Sequence, residues 1–566
     1  MVRRTFLSLA SLPFTGLAQG VASRNVKAQP RGKPSGIPFG SRLVDIGREA
    51  GLIHPTICGE PLKKDYILET VGCGCAFIDY DNDGWMDLLV LSGTRLNSSA
   101  ASPSRLYKNN RNGTFTDVTE KAGLMKTGWA SSVCVGDFNN DGYDDLFITY
   151  WGGFTLYRNN GNGTFTDITA ASGLVPEASE WYSGASFVDY DRDGHLDLFV
   201  ATYLKFDLKT VPKPGESSNC TWKGLPVNCG PRGLPPGHCR LFRNNGKGKF
   251  EDVSEAAGIK KTITGYGMTV SCFDADNDGW PDIYVACDSS SSLLFMNRKD
   301  GTFVEEGLIR GVALNEDGME QAGMGIGVGD IDLDGHLDIF KTHFADDTNI
   351  LYRNSGDGNF EDMTAGAGLG VETRYIGWGA GIVDLDNDGN PDLFMVTGSV
   401  YPELEAKLPA YPGKTPRIVF RNLGNRRFEE LIDEAGAPHM SRGCAFGDFD
   451  NDGDIDVLVV NLNEPPSLLR NDVTSGHHWL KIKLVGTKSN RGAIGARVTC
   501  SYGGKKQVQE IASQASFYSS NDPRIHFGLG SAKTADLEIR WPSGLMQKFT
   551  AVAADRIVTI TEGKPL

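Results

Sequence analysis

The sequence lacks the patterns that mark the commonest catalytic sites. It contains no G-x-S-x-G, no H-E-x-x-H and no P-loop, so nucleophile elbows, zincin sites and phosphate cradles are excluded at the level of motif. Its 11 cysteines form no C-x-x-C and no C-x-x-C-H, and its nine histidines are scattered; neither set has the spacing of a zinc or haem site. Past the N-terminus, no segment approaches the roughly 18 apolar residues of a membrane-spanning helix. A basic surplus is missing too. The formal net charge is −15, which argues against nucleic acid as a partner.

What is present describes a globular chain. Its 566 residues are too many for one ordinary core, so at least two domains are expected. Hydrophobic residues make 40% and charged residues 22%, in the folded range. The 70 glycines, without a collagen period, imply many tight turns and hence many short strands. Residues 1–28 read as an export signal: a basic head at Arg3 and Arg4, an apolar stretch from Phe6 to about Ala18, and small residues at Ala22 and Ala28 where cleavage could fall. The Arg-Arg-x-Phe-Leu order fits a twin-arginine leader; an ordinary secretory leader that happens to hold two arginines fits as well. Either way the mature chain is expected to be exported, periplasmic or extracellular, where disulfides are permitted.

One nine-residue pattern occurs seven times. It reads DYDNDGWMD from Asp79, DFNNDGYDD from Asp137, DYDRDGHLD from Asp189, DADNDGWPD from Asp274, DIDLDGHLD from Asp330, DLDNDGNPD from Asp384 and DFDNDGDID from Asp448. Side-chain oxygens stand at positions 1, 3, 5 and 9, a glycine at 6 permits a sharp turn, and position 7 can add its backbone carbonyl. The candidate metal ligands are therefore Asp79, Asp81, Asp83, Trp85 and Asp87 in the first loop, and Asp137, Asn139, Asp141, Tyr143 and Asp145 in the second. The third supplies Asp189, Asp191, Asp193, His195 and Asp197; the fourth Asp274, Asp276, Asp278, Trp280 and Asp282. The fifth supplies Asp330, Asp332, Asp334, His336 and Asp338; the sixth Asp384, Asp386, Asp388, Asn390 and Asp392; the seventh Asp448, Asp450, Asp452, Asp454 and Asp456.

Such hard oxygen sets suit Ca²⁺, which accepts 6–8 oxygens in irregular geometry, better than Mg²⁺ or Zn²⁺. Up to seven Ca²⁺ are expected. A single copy could be a solvated, Asx-rich turn. Seven copies in register need an offset for their mutual repulsion. Loss of Arg3, Arg4, Arg24 and Lys27 with a leader takes the charge from −15 to −19, and seven divalent ions return it to −5. The loops resemble an EF-hand for nine positions and then depart. Position 12 holds Val90 in the first copy and Lys341 in the fifth, not a bidentate Glu, and the flanks are strand-like.

Each loop runs into an apolar segment with β-branched and aromatic residues, such as LLVLSG after Asp87 or LFVATY after Asp197. A second motif alternates with the first: LYKNNRNGTFTDVTEKAGL from Leu106, LYRNNGNGTFTDITAASGL from Leu156, and further copies from Leu241, Leu294, Leu351 and Val419. It reads as a hairpin with an Asn/Gly turn. A last copy, ending at Asp472, lacks its second strand, while residues 42–52 match that strand with no hairpin before them. The two halves imply a ring closed by both chain ends, because a linear stack would need no such exchange. Spacings of 58, 52, 85, 56, 54 and 64 residues between first aspartates fit four-stranded blades. The excess in the longest falls in a Pro/Gly-rich insertion, 206–238, where Cys220 and Cys229 are expected to pair.

Smaller features have plain readings. His195 and His336 occupy position 7, where only the carbonyl is needed, and their rings are expected in solvent. The polar stretch from Lys341 to Asp347, KTHFADD, could line a channel, but a loop facing water is preferred. Cys75 and Cys444 could bridge; two buried thiols is the simpler reading. The sequons at Asn112 and Asn162 are accounted for by turn chemistry; two more stand at Asn97 and Asn219.

Together the loops and hairpins resemble FG-GAP/VCBS repeats, from about Gly40 to Asp472; integrin α-subunit propellers use related Ca²⁺ loops. HHWLKIKLVGTKSNRGAIGARVTC from His477, HFGLG from His526 and LEIRWPSGLMQKF from Leu537 are similar to the ASPIC/UnbV domain of bacterial secreted proteins and of the cartilage acidic protein family. The resemblance implies an all-β chain: a seven-bladed β-propeller over 40–472, followed by a small β-sandwich-like domain over 473–566. It implies no general catalytic role. The leading functional reading is an exported Ca²⁺-binding scaffold for a protein or glycan ligand, with no nucleic acid and no membrane span; no catalytic or organic-cofactor residue is assigned. The alternative is a secreted enzyme on the same ring, a polysaccharide lyase or hydrolase. A third reading is a structural part of a surface complex. The oligomeric state is open.

The second loop has Asn139 in place of a carboxylate. It should bind its ion most weakly, as calorimetry on single-loop variants can check; a second loop that binds tightest would contradict the ligand assignment.

Overall fold

The computed structural model describes residues 24–96, 102–262, 265–432 and 436–566. Most of the leader expected over 1–28, and the sequon at Asn97, lie outside the described residues. Each nine-residue loop joins the first two strands of an antiparallel sheet. In the first sheet Cys75–Ile78 passes through the loop into Asp87–Val90, and the hairpin adds Arg105–Asn109 and Phe115–Asp117. The second strands are apolar on both faces because another sheet covers each side; Leu88 and Leu89 are fully buried.

Six four-stranded sheets are built this way in chain order, and a seventh takes strands from both ends. Ser441–Gly447, Asp456–Asn461 and Ser467–Asn471 are completed by Leu43–Asp45, with Leu43 opposite Asn471 and Asp45 opposite Leu469. The first strand of each sheet packs on the first strand of the next, and Ser441–Gly447 packs back on Cys75–Ile78. The sheets thus form a closed propeller, and its seam is the strand that the match at 42–52 anticipates.

The ring is held by one repeated side chain. The last residue of every third strand is a buried asparagine: Asn109, Asn159, Asn244, Asn297, Asn354, Asn422 and Asn471. Its Nδ2 donates to a backbone carbonyl of the preceding sheet, at position 2 of that sheet's loop, over 2.7–3.0 Å. The set closes: Asn109 of the first sheet reaches Phe449 of the seventh, and Asn471 of the seventh reaches Leu385 of the sixth. In the sequence alone these residues read only as part of the hairpin turn.

The C-terminal part forms two sheets. One sets His478–Val485 between Ile525–Gly530 and Arg556–Thr561; the other orders Lys505–Glu510, Arg497–Tyr502, Thr534–Arg540 and Met546–Ala553. Its core runs into that of the ring, since Leu480, Val498, Phe527 and Trp541 share a cluster with Phe147 and Phe187 of the second and third sheets. It sits on the face that carries the nine-residue loops, and its segment 513–520 enters the channel. Ser516 exchanges backbone hydrogen bonds with Ile326, Val133 N–H donates to the Tyr518 carbonyl, and Ser520 exchanges backbone bonds with Cys75 and Phe77. The channel is so tight that a Cβ on Gly74 would lie 1.8 Å from the Tyr518 carbonyl oxygen.

The insertion covers the opposite mouth, stapled by the Cys220–Cys229 disulfide. Trp222 packs edge-on to Phe344 and Tyr411, Asn228 donates to the Lys64 carbonyl and Arg232 to that of Ser289. Filling of the channel corrects one expectation. Lys341, Thr342 and His343 do not face water; each is at most 1% exposed. Cys75 and Cys444 are both free and buried, like the other seven unpaired thiols. Residues 24–40 strap the outside of the ring, with Arg24 on Asp347 (2.8 Å) and Arg31 on Glu372 and Glu430. Among the described residues no helix is long and apolar enough to cross a membrane.

Asn354 is fully buried and also serves the Leu337 carbonyl. Asn354→Ala strands two carbonyls, so the melting temperature should drop by an amount equivalent to about 1–3 kcal/mol in calorimetry. An unchanged melt would remove the asparagine ring as the stabilising contact.

Candidate metal centres

The local fold of each loop follows from its sequence. Position 4 is left-handed in all seven: Asn82, Asn140, Arg192, Asn277, Leu333, Asn387 and Asn451 have φ between 56° and 63°. Asparagine tolerates that region best and fills five of the seven places. The glycine at position 6 is also left-handed, as at Gly84 (φ 85°). These two reversals turn the chain around the carboxylates. The asparagines of position 4 also link neighbours: Asn82 Nδ2 donates to the Gly142 carbonyl, Asn140 to Gly194, and Asn451 to Gly84 across the seam.

The backbone organises the carboxylates. At position 1, Asp79 accepts the N–H groups of Asp83 (2.9 Å) and Gly84 (3.1 Å), and Asp137, Asp274 and Asp330 repeat this bonding to positions 5 and 6. At position 9 each aspartate accepts two N–H groups, one from the third-strand asparagine over 2.7–2.9 Å and one from position 2 over 3.0–3.3 Å. The asparagine that ties one sheet to the last therefore also fixes the ninth ligand.

The result brings positions 1, 3 and 9 together. One carboxylate oxygen from each lies within 4.8 Å of the others in Asp79/Asp81/Asp87, Asp189/Asp191/Asp197, Asp274/Asp276/Asp282, Asp330/Asp332/Asp338 and Asp384/Asp386/Asp392. Position 5 stands apart from these trios: Asp83, Asp141, Asp193, Asp278, Asp334, Asp388 and Asp452 each accept the N–H of position 7 over 2.7–3.0 Å. The position 7 residues Trp85, Tyr143, His195, Trp280, His336, Asn390 and Asp454 thereby tie the turn to position 5. The rings of His195 and His336 are half-buried, their Nδ1 atoms 3.4 and 3.0 Å from Asn140 and Asn277 Nδ2.

These clusters fit a hard cation. Buried carboxylate oxygens without any hydrogen-bond partner occur at Asp81, Asp189, Asp191, Asp332, Asp448 and Asp450, and an orphaned anionic oxygen is costly unless a cation or water meets it. Every side-chain donor at positions 1, 3, 5 and 9 is an oxygen. Burial, reinforced by the neighbouring carboxylates, pushes Asp87 up to about 8, Asp189, Asp330 and Asp450 up to about 7 and Asp137 up to about 6. Side chains of the hairpins and the C-terminal part offset some of the charge. Arg243 holds Asp191 (2.7 Å), Arg353 and Arg426 hold Asp332 (both 2.7 Å), and the fully buried Lys481 holds Asp448 (2.6 Å). Arg540 pairs with Asp274, and the Val508 N–H donates to Asp330. The C-terminal part thus touches the position 1 carboxylates directly, a contact the repeat pattern alone does not reveal.

The comparisons bear on the same segments. The FG-GAP-like repeat profile matches residues 79–148, 137–200, 233–285, 274–341 and 342–395, and the ASPIC and UnbV profile matches 486–565. Cartilage acidic protein 1 of Homo sapiens is 26% identical over 307 residues, covering 52% of this chain and 44% of that protein. The Xenopus tropicalis protein is 26% identical over 321 residues, 54% of this chain and 46% of its own length. The chain thus spans about half the length of these relatives. Among solved structures, an Agrocybe aegerita lectin that recognises non-reducing terminal N-acetylglucosamine aligns at TM-score 0.38 and 17% identity, over 73% of this chain and 94% of that one. BBS1N, solved in complex with ARL6DN, aligns at 0.41 and 9%, over 77% and 99%. Likeness at that level carries nothing about function.

Raised carboxyl values set the pH behaviour of the ion-free chain. A carboxyl that holds its proton more tightly folded than unfolded contributes stability at low pH, and that contribution is lost as pH rises from about 4 toward 6–8. His343 and His526, pushed down by burial, act oppositely below about pH 6.5 but are outnumbered. Ion-free protein should therefore melt lower at pH 8 than at pH 5. With a saturating divalent ion the trend should reverse, because protons then compete with the ion. Scanning calorimetry across that range, with and without ion, checks both slopes.

Proposed function

The chain belongs to the FG-GAP-like repeat family and carries an ASPIC and UnbV module, and on that premise we propose that it is an exported, calcium-binding β-propeller acting as a binding scaffold for a protein or glycan. The propeller is taken as 40–472 with 206–238 as its insertion, and the C-terminal module as 473–566. The orphaned, buried carboxylate oxygens that recur around the ring carry the calcium reading. Their setting is irregular, all-oxygen and partly formed by backbone, which suits Ca²⁺ above Mg²⁺. Each ion would offset two or three carboxylates beside an inter-sheet link, so its binding free energy adds to the stability of the ring.

The scaffold reading is supported by where free surface remains. Segment 513–520 occupies the channel on one side and the disulfide-stapled insertion covers it on the other, which leaves the outer faces and loops to meet a ligand. The enzymatic alternative needs a cleft near the insertion in which basic and acidic groups converge. Beneath it, Arg232, Asp288 and Tyr203 line a chamber of only about 40 Å³ with no histidine in its wall, too small for a sugar chain. Export is supported by the leader-like N-terminus and the disulfide. Residues 24–28 dock on the ring, which favours Ala22 over Ala28 as the cleavage point.

Purified protein should contain several calcium ions by elemental analysis, and exhaustive chelation should lower its melting temperature by roughly 10 °C or more. A metal-free preparation with the same melt would defeat the calcium reading. Glycan-array or pull-down binding without turnover would support the scaffold; turnover of a polysaccharide would replace it with the enzyme.

A further inference from the structure

The second loop departs from the other six in two ways. Asn139 stands at position 3, and Asp144 at position 8, where the others carry Met86, Leu196, Pro281, Leu337, Pro391 and Ile455. All six are apolar, and Met86, Leu196, Leu337 and Ile455 are buried in hydrophobic clusters. Asp144 puts a carboxylate at that position, on the wall of a cavity of about 270 Å³ between the second sheet and the C-terminal part.

The wall of that cavity carries both signs of charge. Asp144 and Asp137 come from the loop; Lys483 and Arg491 come from the first C-terminal strand and the turn that follows it; Asn82 and Asn521 add amides. Among the described residues the Asp144 carboxylate takes part in no hydrogen bond or ion pair, and neither does the Arg491 guanidinium. Arg491 engages only through its backbone, donating N–H to Asn140 Oδ1 at 2.8 Å. Lys483 has a loose contact of 3.8 Å with Asp79.

Opposite charges that share a cavity ordinarily collapse into a pair. Here both are held by their backbones. Asp144 precedes Asp145, which is fully buried and bonded to Asn159, and Arg491 sits in a turn closed by Gly486 N–H on its carbonyl. Whether or not an ion holds Asp137, a lone anion placed here would face Asp144, and a lone cation would face Lys483 and Arg491. A molecule with an ammonium at one end and a carboxylate at the other satisfies both walls. We propose that this cavity is a binding site for a small zwitterion, a free α-amino acid, with its ammonium on Asp144 and its carboxylate on Arg491 and Lys483. The proposal goes beyond the scaffold reading and does not rest on the calcium assignment.

The test uses the whole chain. Free L-amino acids are screened by thermal shift, and the best is titrated by calorimetry. One amino acid should bind at one site per chain. N-acetylation, which removes the ammonium, and amidation, which removes the carboxylate, should each abolish binding. Asp144→Leu restores the residue type of the third and fifth loops, and Arg491→Ala removes an exposed side chain. Each should weaken binding ~10-fold or more; without ligand the melt of Arg491→Ala should be unchanged and that of Asp144→Leu no lower than the parent's. The proposal is overturned if no amino acid binds at millimolar concentration, if the N-acetyl or amide form binds as well, or if Arg491→Ala binds like the parent chain.

Discussion

The side chain of one buried asparagine per sheet is the contact on which the rest of this molecule depends. Its amide donates to the preceding sheet, and its backbone N–H donates to the ninth carboxylate of its own loop. Sheet-to-sheet spacing and ligand placement are therefore set by the same residue. Moving Asn354 away from the Ala275 carbonyl would also move Asp338, and with it the trio it forms with Asp330 and Asp332. The ring and its acidic loops are one construction. Closure at the seam follows the same rule, since Asn109 of the first sheet makes the same contact with Phe449 of the seventh, whose outer strand comes from the other chain end.

The C-terminal part is bound into this construction. It shares a core with the second and third sheets, places Lys481 and Arg540 on first-position carboxylates, and sends 513–520 into the channel. Backbone hydrogen bonds from that segment reach first strands on several sides of the ring, where an open channel would leave inner-strand polar groups to water. On the far side the insertion spans from Lys64 to Tyr411. With both mouths closed, the channel works as core, and chemistry with outside molecules is left to the rim, the loops and the seam between ring and C-terminal part.

Repetition decided what was legible beforehand. Seven aspartate loops, alternating hairpins and the split last hairpin all recur in the chain, so periodicity exposed strand order, loop position and ring closure. Features that occur once were not legible. KTHFADD reads as polar and was expected in water, yet Lys341 and His343 are buried because the strap bearing Arg24, the neighbouring sheets and the insertion enclose them. The segment SQASFYSSN has no periodicity and no charge, and nothing local marks it as a channel plug. The third-strand asparagine was readable in part. It persists at Asn422 and Asn471, where the turn after it changes, and that persistence is a signal distinct from turn chemistry.

By itself the sequence determined the all-β class, the nine-residue loops with their oxygen donors, and the exchange of a strand between the chain ends. Each of these is local, set by alternation, by asparagine and glycine at left-handed positions, and by the count of copies. Tertiary structure alone decided which carboxylates meet, what fills the channel, and which charges of the C-terminal part face the loops. Those outcomes depend on contacts between residues hundreds of positions apart, such as Arg540 on Asp274 across two units or Arg24 on Asp347. No pattern along the chain encodes a distance of that kind.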